Sequence, residues 1–227
     1  SSMRERLKSL KEQTNYGEGP EITLPEQAAE PTLVLAYTFD QDREEAAVDS
    51  SENGNDGSIH GTELVDGPRG KARRFDGDDY IQVAKSESLN PTREPITVIA
   101  YVKPEKATGV VLARGGKSHG FTLYLDDGHP AFAIRSSGNL HTVRGPEEVT
   151  DRWVELTGML DRHLNLSMLV DGQKVAGKKD AFYLVTDPND IMQVGQDRGS
   201  KVGDYGSNHA FRGLMESVSI YWGEAAS

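Results

Sequence analysis

Residues 49–57 read DSSENGNDG, and residues 75–83 read FDGDDYIQV. The first stretch packs Asp, Ser, Asn and Gly so densely that only a tight polar loop accommodates it. The second runs from an aromatic through an acidic turn into Tyr80, Ile81, Gln82 and Val83, whose alternation marks a strand entering a sheet. The same period of two recurs along the chain. Residues 33–39 (LVLAYTF) form a first strand. In residues 96–104 (ITVIAYVKP), Ile96, Val98, Ala100 and Val102 share one face and Thr97, Ile99, Tyr101 and Lys103 the other. Both faces are partly apolar, which predicts a central strand. Phe121, Leu123 and Leu125 alternate up to an Asp126-Asp127-Gly128 hairpin turn, and residues 131–135 return. Residues 153–160, 164–170, 173–175, 191–195 and 212–221 complete the set, with Asp171-Gly172 as a second turn. The predicted core comprises Val98, Ala100, Val102, Leu123, Leu125, Leu156, Leu166 and Val218. Only residues 146–152 (PEEVTDR) suit a helical turn in this part of the chain.

The N-terminal stretch is different. Residues 3–13 (MRERLKSLKEQ) are good helix formers with Leu7 and Leu10 on one side, which predicts a short helix that needs a partner. Residues 16–31, rich in Pro and Glu, read as a linker. The expected division is residues 1–31 as helix and linker and 32–227 as a β domain. Residues 1–3 (SSM) read as a cloning remnant, and the helix as the tail of an upstream domain or as a piece docked on the β domain.

The pieces already quoted fall in a familiar order: the DSSENGNDG loop, the FDGDDY strand, and TVIAYVKP where a T-x-x-x-W-V-K-P strand is usual, with Tyr101 in place of Trp. WVELTGML, the VDG hairpin (residues 170–172) and the closing FRGLMESVSIYW (residues 211–222) follow. Over residues 32–223 the chain resembles the laminin-G-like, concanavalin A-like jelly-roll domains. The resemblance implies an all-β fold: two antiparallel sheets in a jelly-roll sandwich, with the short N-terminal helix and linker in front. It implies domains that bind sugars, bind proteins or accompany larger enzymes.

Composition excludes several functions. The net charge of -11 disfavours a nucleic-acid or anionic-membrane partner, since phosphate binding needs a basic stripe. The one dense basic run, residues 69–74 (RGKARR), is followed at once by Asp76, Asp78 and Asp79. The chain has no cysteine, hence no disulfide and no thiolate chemistry. No apolar run approaches the roughly 20 residues of a membrane-spanning helix, so membrane insertion is not expected. Gly116-Lys117-Ser118-His119-Gly120 matches a nucleophile-elbow pattern, but a strand follows it where that motif requires a helix. No strand carries the alternating carboxylates of a retaining glycosidase; Glu216 stands alone on the last strand. Six scattered histidines lack zinc-site spacing.

Two groups of residues remain as candidate sites. Asp49 and Asn53, with Asn55 and Asp56, supply side-chain oxygens of the kind calcium prefers, and the family often holds that ion; the same residues equally suit a metal-free turn. Residues 195–211 (GQDRGSKVGDYGSNHAF) combine an aromatic platform with planar polar groups, the make-up of a sugar site. Here Asp197, Arg198, Asp204, Tyr205, Asn208 and His209 are the candidate ligand-binding residues, with Arg114 and Arg135 as forks for anionic sugars. The expected function is a non-catalytic carbohydrate-binding or accessory module at the C-terminal end of a larger exported hydrolase, a sulfatase or glycoside hydrolase. Its partners would be a glycan or its own upstream catalytic domain, in an extracellular or periplasmic setting. A protein-binding adhesion domain is the alternative, and a glycosidase in its own right the third reading.

Overall fold

The computed structural model describes residues 30–43, 45–206 and 209–225. The predicted helix over residues 3–13, most of the linker and Asn208 lie outside the described residues. Among the described residues sixteen strands follow one another: β1 Thr32–Tyr37, β2 Ala46–Ala47, β3 Gly57–His60, β4 Glu63–Asp66, β5 Lys71–Asp76, β6 Tyr80–Val83, β7 Ile96–Pro104 and β8 Gly109–Gly115. Then come β9 Gly120–Asp126, β10 His129–Ser136, β11 Asn139–Arg144, β12 Val154–Leu160, β13 Leu166–Val170, β14 Gln173–Lys178, β15 Met192–Val194 and β16 Arg212–Trp222. A single 3-10 turn, Glu87–Leu89, interrupts them.

The strands form two antiparallel sheets. The first runs β14-β13-β12-β7-β16-β5-β4, with β1 also paired to β16; the second runs β11-β10-β9-β8-β15-β6-β3-β2. As predicted, β7 is central, between β12 and β16. All eight predicted core residues are buried, in one continuous cluster between the sheets. Two-residue turns with positive φ at both positions close three hairpins: Asp127-Gly128, Ser137-Gly138 and Asp171-Gly172. That backbone twist matches the flanking strands, and glycine takes the second place at no steric cost.

The two signature stretches serve topology. Residues 77–79 carry the chain from β5 in the first sheet to β6 in the second, while Phe75 stays in the core, edge-on to Phe211 at 5.9 Å. The loop between β2 and β3 lies along the edge of β1 that β16 leaves free. Its Asn53 and Asn55 side chains donate to the Leu33 and Val34 carbonyls at 3.1 and 2.8 Å, and the Asp49 carboxylate accepts from Ala36 N at 2.9 Å. Unpaired edge groups are thereby satisfied.

One sequence expectation fails. Residues 146–152 form bends and turns, not helix. Their amides reach distant carbonyls instead: Val149 N donates to Gly128 O at 2.9 Å and Asp151 N to Pro104 O at 2.7 Å.

Candidate functional site

After β15, residues 195–206 cross the outer face of the second sheet, and residues 209–211 lead into β16. Gly195 starts the excursion with φ +92° and donates to Val111 O at 2.9 Å; His209 O accepts from Val110 N at 2.7 Å. The anchor within the loop is Asp197, which is buried. Its carboxylate accepts from Val202 N at 2.8 Å and from the Tyr205 hydroxyl, and its backbone oxygen lies 2.7 Å from His209 Nε2. Burial pushes the Asp197 carboxyl above the usual range, against the pull of the Tyr205 and Val202 hydrogen bonds. Arg135, on β10 below, clamps the loop: Nε donates to Val202 O at 2.6 Å and Nη2 to Asp204 Oδ1 at 2.8 Å.

So held, the loop and β9 enclose a cavity of about 400 Å³. Tyr124, Asp126, Asp204, Tyr205, His209 and Thr108 line it. Tyr205 stands edge-on to Tyr124 at 5.1 Å and leans on His209 at 5.0 Å. Burial raises the Tyr205 phenol strongly and pushes Tyr124 up to about 12, so both hydroxyls keep their protons at neutral pH. The cavity thus has aromatic walls, hydroxyls and carboxylates, and a volume within the range of small-ligand sites.

Of the six ligand-binding candidates, Asp204, Tyr205 and His209 meet in this cavity. Asp197 faces inward and positions two of them. Arg198 turns elsewhere, its guanidinium 4.6 Å from the centre of the Tyr80 ring, which also stacks on His60 at 4.3 Å. Asn208 lies outside the described residues. Neither proposed anion fork is free. Arg114 is buried and donates to Asp187 at 2.7 Å, and Arg135 serves the loop. Tyr124 and Asp126 were missed by sequence reasoning. The signal was present, because the alternation of Phe121, Leu123 and Leu125 into the core turns Tyr124 outward.

Asp49 and Asn53 sit apart, in the loop that covers β1. The Asp49 carboxylate accepts four hydrogen bonds: Ala36 N and Ser51 N on Oδ1, Ser51 Oγ and Asn55 N on Oδ2, all at 2.8–2.9 Å. Four donors converging on one carboxylate fit a hydrogen-bonded turn and do not fit a cation cage, which needs free oxygens. The expected result is a melting temperature that is the same in EDTA and in millimolar calcium, with Asp49→Ala lowering it in both. A calcium-dependent rise abolished by Asp49→Asn would show that an ion replaces those donors.

Gly116–Gly120, the nucleophile-elbow match, joins β8 to β9 as a hairpin loop between two strands, a setting that cannot present a strained catalytic serine. Glu216 sits at a bulge in β16 and caps a turn, accepting from Arg69 N at 2.6 Å and Gly70 N at 2.9 Å. No helix among the described residues is long and apolar enough to cross a membrane.

Comparison with known proteins adds three observations. A family model described as the concanavalin A-like lectin/glucanases superfamily matches residues 75–225. No curated protein sequence matches the chain. Among solved structures, the chain is similar to domain 4 of AbnA, a GH43 extracellular arabinanase from Geobacillus stearothermophilus, solved in complex with arabinotriose. The TM-score is 0.67 at 21% identity, over 88% of this chain and 96% of that one. It is also similar to the binding domain of Paraclostridial Mosquitocidal Protein 1 (TM-score 0.67, 16% identity, 86% of this chain and 49% of that one). A structure of botulinum neurotoxin type C, whose cell entry depends on two ganglioside molecules, aligns at TM-score 0.62 and 12% identity, over 86% and 48%. The chain therefore spans about half the length of these two toxin structures. At such identities the likeness shows the fold, a jelly-roll sandwich.

Proposed function

We propose, from the premise that this chain belongs to the concanavalin A-like lectin/glucanases superfamily, that it is a non-catalytic glycan-binding module whose site is the cavity lined by Tyr124, Asp126, Asp204, Tyr205 and His209. The observation that carries this reading is the meeting of Tyr124, Tyr205 and His209 with Asp126, Asp204 and Thr108 in one cavity. Pyranose rings offer C–H faces to aromatics and hydroxyls to polar groups, and this lining supplies both. The arabinotriose-bound arabinanase domain and the ganglioside-dependent toxin support the reading by likeness of fold. The module, on this proposal, serves a larger exported hydrolase, a sulfatase or glycoside hydrolase, and works outside the cytoplasm; the extracellular arabinanase domain supports the glycoside-hydrolase case by likeness of fold.

Two carboxylates in a sugar cleft raise the question of hydrolysis. Asp126 and Asp204 are each exposed and paired with an arginine, Arg144 at 3.1 Å and Arg135 at 2.8 Å. A glycosidase general acid needs the opposite setting, an apolar pocket that keeps it protonated. A protein-docking role is less well supported. The most exposed large apolar side chains among the described residues, Leu64, Val175, Val185 and Ile191, are spread over three separate segments.

Titration calorimetry against a panel of oligosaccharides tests the proposal. At least one should bind without being cleaved, and Tyr124→Ala and His209→Ala should each weaken it by at least about tenfold, or 1.4 kcal/mol. Binding unaffected by both substitutions would move the site elsewhere. Release of shorter sugars would return the chain to the enzymes.

A further inference from the structure

The charges around the cavity narrow the kind of sugar it takes. Anionic saccharides are held by arginine forks or lysine ammonium groups. Here the nearby arginine, lysine and histidine side chains are each aimed at protein oxygens. Arg135 spends Nε on Val202 O (2.6 Å), Nη1 on Gly138 O (2.9 Å) and Nη2 on Asp204 Oδ1 (2.8 Å). Lys201 Nζ faces the carbonyls of Tyr205 and Gly206 at 2.9 and 3.4 Å. The two ring nitrogens of His209 face the carbonyls of Asp197 and Gly206 at 2.7 and 2.9 Å. Arg144 holds Asp126 Oδ2 at 3.1 Å and the Asp126 carbonyl at 2.9 Å, and does not line the cavity.

The cavity itself shows the other sign. Asp126 and Asp204 line it, and the arginine contact of each uses one carboxylate oxygen. The second oxygen of each has no hydrogen-bond partner among the described residues. Those oxygens accept from sugar hydroxyls and repel a carboxylate or sulfate.

We propose that this cleft selects uncharged saccharides and rejects acidic ones, with Asp126 and Asp204 as the residues that set the preference. The inference rests on the glycan-binding reading of the same cavity. A like charge a few ångströms from two half-paired carboxylates should weaken binding by at least about tenfold at low salt. The discrimination comes from a repulsive element and not from a lost contact.

The test uses matched pairs of trisaccharides, of glucose, galactose or mannose against the tri-uronides of the same linkage, which differ only by oxidation at C6. Calorimetry at low salt should find one neutral member bound and its uronide at least about tenfold weaker. The gap should narrow in about 0.5 M salt, where charges a few ångströms apart are screened. It should narrow again in Asp126→Asn/Asp204→Asn and in Asp126→Asn alone. Asp127→Asn, in the adjoining turn and outside the cavity lining, should keep it. A uronide bound as tightly as its neutral partner overturns the selectivity, as does a gap indifferent to the asparagine substitutions; either leaves glycan binding standing. Failure of every saccharide to bind overturns both readings together.

Discussion

Asp42→Ala should destabilise the domain by about 3–5 kcal/mol, the cost of breaking a buried ion pair from one side. The Asp42 side chain is 1% exposed and that of Arg73, on β5, 5%. Asp42 Oδ2 receives Arg73 Nε at 2.8 Å and Nη2 at 2.7 Å, while Oδ1 receives Val48 N at 3.0 Å. Arg73 Nη1 reaches Thr62 O at 3.3 Å. Removing the carboxylate strands a guanidinium away from water with one weak partner. The pair joins the turn after β1 to β5, so the loss should open that corner of the first sheet. Urea melts give the number. Because the penalty lies in the uncompensated charge, Asp42→Ala/Arg73→Met should recover much of it. A single-substitution cost below about 1 kcal/mol, the scale of an exposed pair, would mean that water reaches this corner.

Phe132→Ala should cost about 3–5 kcal/mol, the range for deleting a buried aromatic. Phe132 is fully buried on β10 of the second sheet and fills the space above Gly158 on β12 of the first: a Cβ added to Gly158 would stand 2.3 Å from its ring. The two positions should therefore be coupled. Gly158→Ala alone overpacks the interface at about 1–3 kcal/mol, and in the Phe132→Ala background it should cost less, since the new methyl enters the cavity left by the ring. Strict additivity in denaturant melts would show that the sheets do not meet at this pair.

How far these contacts were legible depended on how many faces of each strand are covered. β7 and β12 announce themselves because one face meets the core and the other is partly open, and the side chains alternate accordingly. β9 is covered on both faces, yet Phe121, Leu123 and Leu125 still alternate with Thr122 and Tyr124, whose polar groups mark the second face. β8 (GVVLARG) escaped notice. All seven of its residues are buried, since the core covers one face and the segment after β15, with Tyr205 and His209, covers the other, and burial on both sides removes the apolar-polar contrast. The same covering loop decided the site. Its composition predicted a polar, aromatic recognition surface, and Asp204, Tyr205 and His209 do share a cavity. Nothing in their spacing shows that Asp197 turns inward to hold them or that Arg198 leaves for Tyr80, because a loop has no period that assigns faces.

The amino-acid sequence by itself determined the class of fold, the strands whose apolar side chains alternate with polar ones, two of the three tight glycine turns and the polar, aromatic composition of residues 195–211. Each of these is local, set by neighbours a few positions away. Only the tertiary structure decided that Asp49 is spent on an amide of β1 and on donors of its own loop, that Arg114 is buried against Asp187 while Arg135 is spent on protein oxygens, and that Tyr124 and Asp126 complete the cavity. Hydrogen-bonding capacity is finite, and which partner takes it depends on what the fold brings within 3 Å, across separations of tens of residues.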